Sequence, residues 1–186
     1  LSFEYETAAT QPDLIKRKIL RIVESFGRTI QFFYEDADFP SGISRILCFD
    51  NREWLYDYNA NGQLLSARSP TVLSTGGLND FPAGKLKRYA YLNHADPLLK
   101  NALISYTAPN QSATLEPRLT WTYETSAASP FFGFARSHSV GNPSAPGILA
   151  AGGTYTYDYV NLTPSGTVTA GHPVIRTVAT DRRGTR

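Results

Sequence analysis

Residues 56–64 read Tyr56-Asp57-Tyr58-Asn59-Ala60-Asn61-Gly62-Gln63-Leu64, or YDYNANGQL. Two tyrosines separated by one residue share a face of a β-strand, because successive strand side chains alternate. Asn59 and Gly62 hold the first and fourth positions of a type I turn, where glycine adopts the left-handed conformation of a bulge at little cost. We therefore predict a hairpin in which Tyr58 faces Leu64 and Asp57 belongs to a strand rather than a ligand site. A two-residue turn at Asn61-Gly62 would instead set Tyr58 opposite Leu65.

Aromatic pairs with the same spacing recur along the chain. They are Phe3/Tyr5, Phe32/Tyr34, Tyr56/Tyr58, Tyr89/Tyr91, Trp121/Tyr123 and Tyr155/Tyr157, the last extended by Tyr159. A polar residue followed three positions later by glycine recurs between them, at 24–27, 59–62, 163–166 and 181–184. Strand, turn and strand is thus the repeating unit. The predicted fold class is all-β, built from tandem antiparallel β-hairpins.

One segment also fits a helix. Its apolar residues have the spacing of an amphipathic helix face, at Ile15, Ile19, Ile22, Val23 and Phe26. The alternative is a strand over residues 20–23 that leads into the turn at 24–27. The β-type pattern that follows favours the strand, with one short helical turn before it. Glycines and prolines predict long surface loops at 70–84 and 141–153.

Two stretches carry a family resemblance: residues 22–34, IVESFGRTIQFFY, and residues 50–70, DNREWLYDYNANGQLLSARSP. They resemble the Rhs/YD-repeat family, in which Gly-Arg opens one element and Tyr-Asp-x-x-Gly-x-Leu forms the next. Asn59 stands where that family usually has Asp, and LTWTYE at 119–124 and TDRRG at 180–184 also resemble it. The residues assigned to the repeat motif are Gly27, Arg28, Tyr34, Tyr56, Tyr58, Asn59, Gly62, Leu64, Tyr89, Tyr91, Trp121, Tyr123, Tyr155, Tyr157, Asp181 and Gly184.

The resemblance implies a fold and a function. Family repeats coil into a spiralling β-sheet shell that encloses a toxic C-terminal polypeptide in secreted bacterial toxins. Residues 1–186 would then be a single β-rich segment of a longer chain. Its partners would be the rest of the shell, the enclosed toxin and a secretion-system spike or toxin-complex component. Some family shells end in Asp-Pro-x-Gly-Leu, linked to autoproteolysis. Asp96-Pro97-Leu98-Leu99 lacks the glycine and lies in what reads as an ordinary repeat, so no protease function is carried over.

Composition excludes several other classes of function. The chain has 18 Lys+Arg against 16 Asp+Glu, with the cations scattered, which disfavours nucleic-acid binding. The single cysteine, Cys48, rules out an internal disulfide framework, and its apolar neighbours predict a small core residue. No apolar run approaches the roughly 20 residues needed to span a bilayer. The absence of methionine suggests a cleaved product or an excerpt.

No catalytic, metal or cofactor site is predicted. His94, His138 and His172 share no ligand spacing and are expected at the surface or in loops. A triad of His138 with Ser137 or Ser139 lacks a nucleophile elbow. The acidic pairs Glu4/Glu6 and Asp36/Asp38 are expected to be solvated. The glycine pairs at 76–77 and 152–153 lack the rest of a phosphate loop.

A second hypothesis assigns the chain to surface adhesion or carbohydrate binding. Tyrosine and tryptophan suit sugars because an aromatic face can stack while a polar group forms hydrogen bonds. The sequons at Asn110 and Asn161 matter only if the source glycosylates its secreted proteins. Repetition of the aromatic pair along the chain favours packing between hairpins over this alternative.

Overall fold

The computed structural model describes residues 1–7, 17–73, 80–109, 118–141, 152–160 and 176–186. These residues contain twelve strands and one helical turn. The strands are β1 (Ser2–Tyr5), β2 (Ile19–Val23), β3 (Thr29–Phe33), β4 (Arg45–Leu47), β5 (Glu53–Tyr58), β6 (Leu64–Arg68), β7 (Leu86–Tyr91), β8 (Leu103–Thr107), β9 (Leu119–Tyr123), β10 (Ala135–Val140), β11 (Gly153–Val160) and β12 (Arg176–Thr180). Their order in the sheet is their order in the chain, and the strands are antiparallel. The all-β, antiparallel fold class is confirmed.

The ambiguous segment is a strand. Residues Ile19–Val23 form β2, and Ile22 lies opposite Phe3 of β1 on one side and Ile30 of β3 on the other. β-Branched side chains suit a half-buried pleated surface, which outweighs the helical spacing. The helical turn expected ahead of this strand falls mainly in residues 8–16, outside the described part of the chain.

Turns with glycine in the fourth position join β2 to β3 and β5 to β6, and a third turn of this kind follows β12. Gly27, Gly62 and Gly184 have φ values of 81°, 76° and 80°. The N–H of each donates to the carbonyl of the first turn residue, at 2.9, 2.8 and 2.9 Å. These three turns are confirmed, while the predicted turn at 163–166 lies outside the described residues.

A fourth turn of this type escaped prediction because it has no glycine. The N–H of Asn51 donates to the Cys48 carbonyl at 3.0 Å, and Asn51 itself takes the left-handed conformation, with φ of 61°. Asparagine is one of the few residues that adopts this conformation readily. Cys48 is therefore the first residue of the β4–β5 turn and only half buried, so its assignment to the core was wrong.

The hairpin at 56–64 has the predicted register. The N–H of Asn59 donates to the Gln63 carbonyl at 3.1 Å, and Tyr58 pairs with Leu64. The register then shifts, so that Asp57 lies opposite Ser66 and Leu65 is the extra residue of a bulge. The two-residue turn is excluded, and the bulge places Leu64 on the Tyr58 side as predicted.

The described parts of the predicted loop at 70–84, residues 70–73 and 80–84, are paired with each other. Val72 and Phe81 form an isolated antiparallel bridge through reciprocal backbone hydrogen bonds of 3.0 and 2.7 Å. A further glycine turn closes at Gly84, whose N–H donates to the Phe81 carbonyl at 2.9 Å. The β6–β7 connection therefore extends its hairpin beyond the strands. The part of the second predicted loop at 142–151 lies outside the described residues.

The chain divides into two compact units, Leu1–Arg88 and Tyr89–Arg186; the single segment remains a prediction. In the second unit a helical turn, α1 (Pro97–Lys100), interrupts what reads in the sequence as an ordinary repeat. The Asp96 carboxylate caps it by accepting the Leu98 N–H at 2.8 Å, and Pro97 supplies the fixed φ that a first helical turn accepts. Leu99 of this turn is fully buried.

Candidate interaction surface

One face of the sheet in the first unit is apolar. Residues paired across antiparallel strands share a face, and the pairs here run Phe3–Ile22–Ile30 and Phe32–Ile46–Trp54. We call the apolar face the set Phe3, Ile22, Ile30, Phe32, Ile46, Trp54 and Tyr56. Phe3 is 49% exposed and Trp54 is 41% exposed. A shallow, open depression of about 330 Å³ lies on this face, floored by isoleucine and aromatic side chains. This surface offers contact area to another polypeptide.

The opposite face of the same unit is charged. Arg21 pairs with Glu4 at 2.8 Å. Arg45 bridges Glu53 at 3.2 Å and Glu35 at 3.3 Å, with its guanidinium 3.6 Å from the Phe33 ring centre. Partly exposed ion pairs of this kind add little stability but keep a surface hydrated. The sheet of the first unit therefore has one charged, solvated face and one apolar face.

A repeated tyrosine contact ties neighbouring strands together. At four places within the described residues, a tyrosine at or near the end of one strand donates its hydroxyl to a backbone carbonyl at or near the start of the preceding strand. The donor and acceptor pairs are Tyr34 to Ile19 (3.0 Å), Tyr58 to Ile43 (3.0 Å), Tyr123 to Leu103 (2.8 Å) and Tyr159 to Ala135 (2.6 Å). We call these tyrosine anchors. Three of them are second members of the aromatic pairs, and Tyr159 is the extension of the last pair.

Burial changes the acidity of the anchor tyrosines. Desolvation raises the pKa of Tyr34, Tyr58, Tyr123 and Tyr159 above the ordinary tyrosine value, because a phenolate is poorly solvated there. Desolvation raises the pKa of Tyr91, the second member of another pair, in the same way. These hydroxyls therefore stay neutral donors through the physiological pH range.

A short loop buttresses the Tyr58 anchor. The Asp36 carboxylate accepts hydrogen bonds from the N–H groups of Asp38 (3.0 Å), Phe39 (2.7 Å) and Tyr58 (3.2 Å). The Phe39 ring then lies 5.4 Å from the Tyr58 ring and against Gly62. Asp36, considered from sequence as half of a solvated acidic pair, organises this loop instead.

The second unit carries a row of rings across three strands. His138 of β10 lies opposite Trp121 of β9 and Tyr155 of β11. Its imidazole stacks on Tyr155 with centroids 4.7 Å apart and planes 2° from parallel, and its Nδ1 lies 2.7 Å from the Tyr157 hydroxyl. His138, expected from sequence at the surface or in a loop, is a strand residue of intermediate exposure.

The triad drawn from the sequence does not form. Ser137 and Ser139 flank His138 on the strand, so their side chains lie on the other face. There the Ser137 hydroxyl lies 2.7 Å from that of Thr122, and the Ser139 hydroxyl lies 2.7 Å from that of Thr154. His94 is in a turn ahead of α1, where its Nδ1 accepts the Asp96 N–H at 3.0 Å. His172 lies outside the described residues.

An aromatic cluster around Tyr159 was not foreseen. The rings of Phe134 and Phe131 lie 4.9 and 5.7 Å from the Tyr159 ring. Both phenylalanines come from the β9–β10 connection rather than from a strand, so the two-residue period gave no signal for them. The signal that remained was the local density of aromatics in Phe131-Phe132-Gly133-Phe134.

The residues assigned to the repeat motif do not meet at one point; within each unit they recur on successive strands and turns. Tyr56, Tyr89, Tyr91, Trp121, Tyr155 and Tyr157 lie on strands. Asn59 opens its turn by accepting the N–H groups of Asn61 and Gln63 on Oδ1, and Asp181 does the same with Arg183 and Thr185. Arg28 pairs with Glu24 and lies over the Phe49 ring. Their role as a family motif stays a prediction.

Among the described residues, no group of three His, Cys, Asp or Glu side chains is placed to hold a metal ion. No helix in the described part of the chain is long and apolar enough to cross a membrane. The chain matches no protein-family model and no curated protein. The apolar face of the first unit and the row of rings of the second unit therefore stand as two separate candidate surfaces on geometry alone.

Proposed function

We propose that this chain is a wall segment of an Rhs/YD-type β-sheet shell that encloses and protects a toxic polypeptide in a secreted bacterial toxin. The observation that carries the proposal is the half-exposed apolar face of the first unit. Among the described residues only Leu99 and Ala108 are buried hydrophobic side chains. A sheet with so little interior of its own gains stability when something covers its apolar face.

The energetics favour a covered face. Full burial of a large apolar side chain contributes about 1.5–3 kcal/mol. Phe3 and Trp54 retain 49% and 41% of their surface in contact with solvent. An enclosed polypeptide or the neighbouring wall would remove that surface from water. The charged face, with its Arg21 and Arg45 ion pairs, is suited to remain in solvent.

The repeated anchors support a tandem architecture. Each tyrosine anchor joins a strand to the one before it, and glycine turns close the hairpins. Units that make contacts mainly with their sequence neighbours are typical of repeat proteins, whose stability grows by stacking. The terminal strands of the sheet, β1 and β12, each have one strand neighbour among the described residues. Such edges suit pairing with further repeats.

Neighbouring residues on opposite faces allow a matched test. Trp54 belongs to the apolar face, while Leu55 lies on the charged face and is almost equally exposed, at 39%. In the natural full-length protein, W54E should expose the enclosed polypeptide to added protease several times faster than in wild type. L55E should leave the cleavage rate unchanged. Digestion of that polypeptide at the same rate with and without the repeats would overturn the proposal.

Exposed Trp54 beside Tyr56 also favours a second function, carbohydrate binding by an adhesion module. A glycan array probed with the purified chain separates the two. Saturable binding to one glycan class that W54A abolishes would support the adhesion module and count against the shell. Absence of glycan binding together with W54E-sensitive protection would support the shell.

A further inference from the structure

A second pocket lies on the charged face of the first unit. It holds about 330 Å³, at the lower end of the range for small-molecule sites. The β4–β5 turn forms one side, and the connection after β6 forms the other. The second side is fixed by hydrogen bonds from the Thr71 hydroxyl to the Pro82 carbonyl (2.8 Å) and from the Lys85 N–H to the Ser69 hydroxyl (2.9 Å).

One part of this pocket is apolar. Leu55, Pro70 and Ala83 line it, and Leu55 lies directly opposite Arg68 across the β5–β6 pair. Leu55 is 39% exposed although it lies in a concave site. A ligand with an apolar group would cover this side chain.

The other part of the pocket holds a guanidinium with unused donors. Arg68 Nη1 donates to the Ala83 carbonyl at 3.0 Å, which fixes the side chain and leaves most of its five N–H donors available. Arg68 has no carboxylate partner among the described residues. Arg52 brings a second guanidinium to the lining, bonded to Asp50 through Nε.

The acidic group in the lining does not neutralise Arg68. Glu53 is held by Arg45, whose Nη1 lies 3.2 Å from its carboxylate. The pocket thus combines a half-buried, unpaired cation with an apolar wall. Guanidinium groups bind carboxylates through two parallel hydrogen bonds, a geometry the free edge of Arg68 can offer.

We propose that this pocket binds a carboxylate attached to an apolar group. The carboxylate lies on Arg68, with Arg52 at the rim, and the apolar group lies on Leu55, Pro70 and Ala83. The source is either a free organic acid or the carboxyl terminus of a peptide with an apolar last residue. Both present the same chemistry to the site.

Calorimetric titration of the chain with 3-phenylpropionate tests the proposal. We expect saturable binding, at least about tenfold weaker binding of neutral 3-phenylpropionamide, and a similar loss in R68Q. R21Q removes the same charge outside the pocket and should bind as wild type does. Equal affinity for the acid and the amide, unchanged affinity in R68Q, or an equal loss in R21Q would each overturn it. Inorganic phosphate binding as tightly as the acid would also overturn it, because the apolar wall would then contribute nothing.

A second pair of probes separates the two sources of ligand. The tripeptide Gly-Gly-Phe with a free carboxyl terminus should bind more tightly than 3-phenylpropionate if the site takes peptide ends, and less tightly if it takes free acids. Circular dichroism of R68Q checks that the fold is kept. If R68Q unfolds, R52Q decides, since its side chain is 64% exposed and its loss leaves the strand pairs intact. A roughly threefold loss of affinity in R52Q supports the proposal, and no loss overturns it.

Discussion

The hydroxyl of Tyr58 donates a hydrogen bond to the backbone carbonyl of Ile43, 3.0 Å away. Tyr58 closes β5, and Ile43 lies just before β4, so the bond joins the two ends of adjacent strands. The same relationship recurs between Tyr34 and Ile19 in the same unit. In both cases the tyrosine is the second member of its aromatic pair. Besides packing its ring, it therefore bonds its strand to the preceding strand through its hydroxyl.

Removal of a single anchor hydroxyl should lower stability measurably. Tyr58→Phe leaves the ring in place and the Ile43 carbonyl without its partner, so we expect a loss of about 0.5–1.5 kcal/mol in the free energy of unfolding. Chemical denaturation followed by circular dichroism measures it. Tyr56→Phe is the matched control, because the Tyr56 hydroxyl has no hydrogen-bond partner among the described residues. An equal loss in both variants would contradict the anchor role of Tyr58.

Alkaline pH should unfold the protein through its tyrosines. The pKa of Tyr34, Tyr58, Tyr91, Tyr123 and Tyr159 is raised in the folded state by desolvation. In the unfolded chain these groups ionise near pH 10. The stabilisation is complete below that pH and is lost as the pH rises towards the folded-state pKa, since the unfolded state ionises first.

Phenolate absorbance and circular dichroism, recorded together from pH 9 upward, check this expectation. The late-ionising tyrosines should titrate in step with loss of structure. The Y58F variant should have a smaller late-titrating fraction. Titration of every tyrosine near pH 10 with the fold intact would be the contrary result.

Three glycine-to-alanine variants separate backbone strain from crowding. Gly27 has a positive φ and open space around an added Cβ, so G27A carries strain alone, about 1–2 kcal/mol. Gly42 lacks the positive φ, but an added Cβ would lie 2.6 Å from Phe39, so G42A carries crowding alone. Gly62 has both, with φ of 76° and Phe39 at 2.7 Å. We expect G62A to be the least stable in denaturant titrations, by more than 1 kcal/mol relative to G27A.

Asn59 should tolerate one substitution and not another. Its Oδ1 accepts two backbone N–H groups of the turn, and its Nδ2 donates to the buried Gln63 side chain at 2.6 Å. N59D keeps both acceptors of the turn and loses only the Nδ2 donor to Gln63, so its loss of stability should be smaller than that of N59A. N59A removes the cap and should cost about 1–2 kcal/mol. Thermal melts of the two variants measure the difference, and equal melting temperatures would count against it.

Much of the local structure could be predicted because short-range rules govern it. Within residues 56–62, the pair Tyr56/Tyr58 predicts a strand face and the segment Asn59–Gly62 predicts a turn with a bulge. The hairpin register follows, since a slip by one residue would reverse the faces. The strand at 19–23 was harder, because helical and strand spacing coincide there and only pairing with Phe3 and Ile30 decides between them.

The interaction surfaces were less predictable, because they depend on distant pairings. To predict that Trp121, His138 and Tyr155 lie side by side, one must know the registers of two strand pairs. The pattern within a single strand does not determine these registers. The pocket at Arg68 joins a turn at 48–51 to a connection at 69–83 that the sequence predicted as an open loop. The turn that ends at Asn51 was not predicted, because asparagine, unlike glycine, is common in other conformations.

The strand order has a kinetic consequence. Each described strand pairs with the strands before and after it in the chain, so the sheet is built from pairings between successive segments rather than between distant ones. Chains dominated by such contacts close small loops and fold faster than β-proteins with long-range pairings. A ribosome releases the chain from one end, so each new strand meets an existing edge as it emerges. The sheet can grow by addition at its newest edge, and a pulling force can unravel it hairpin by hairpin.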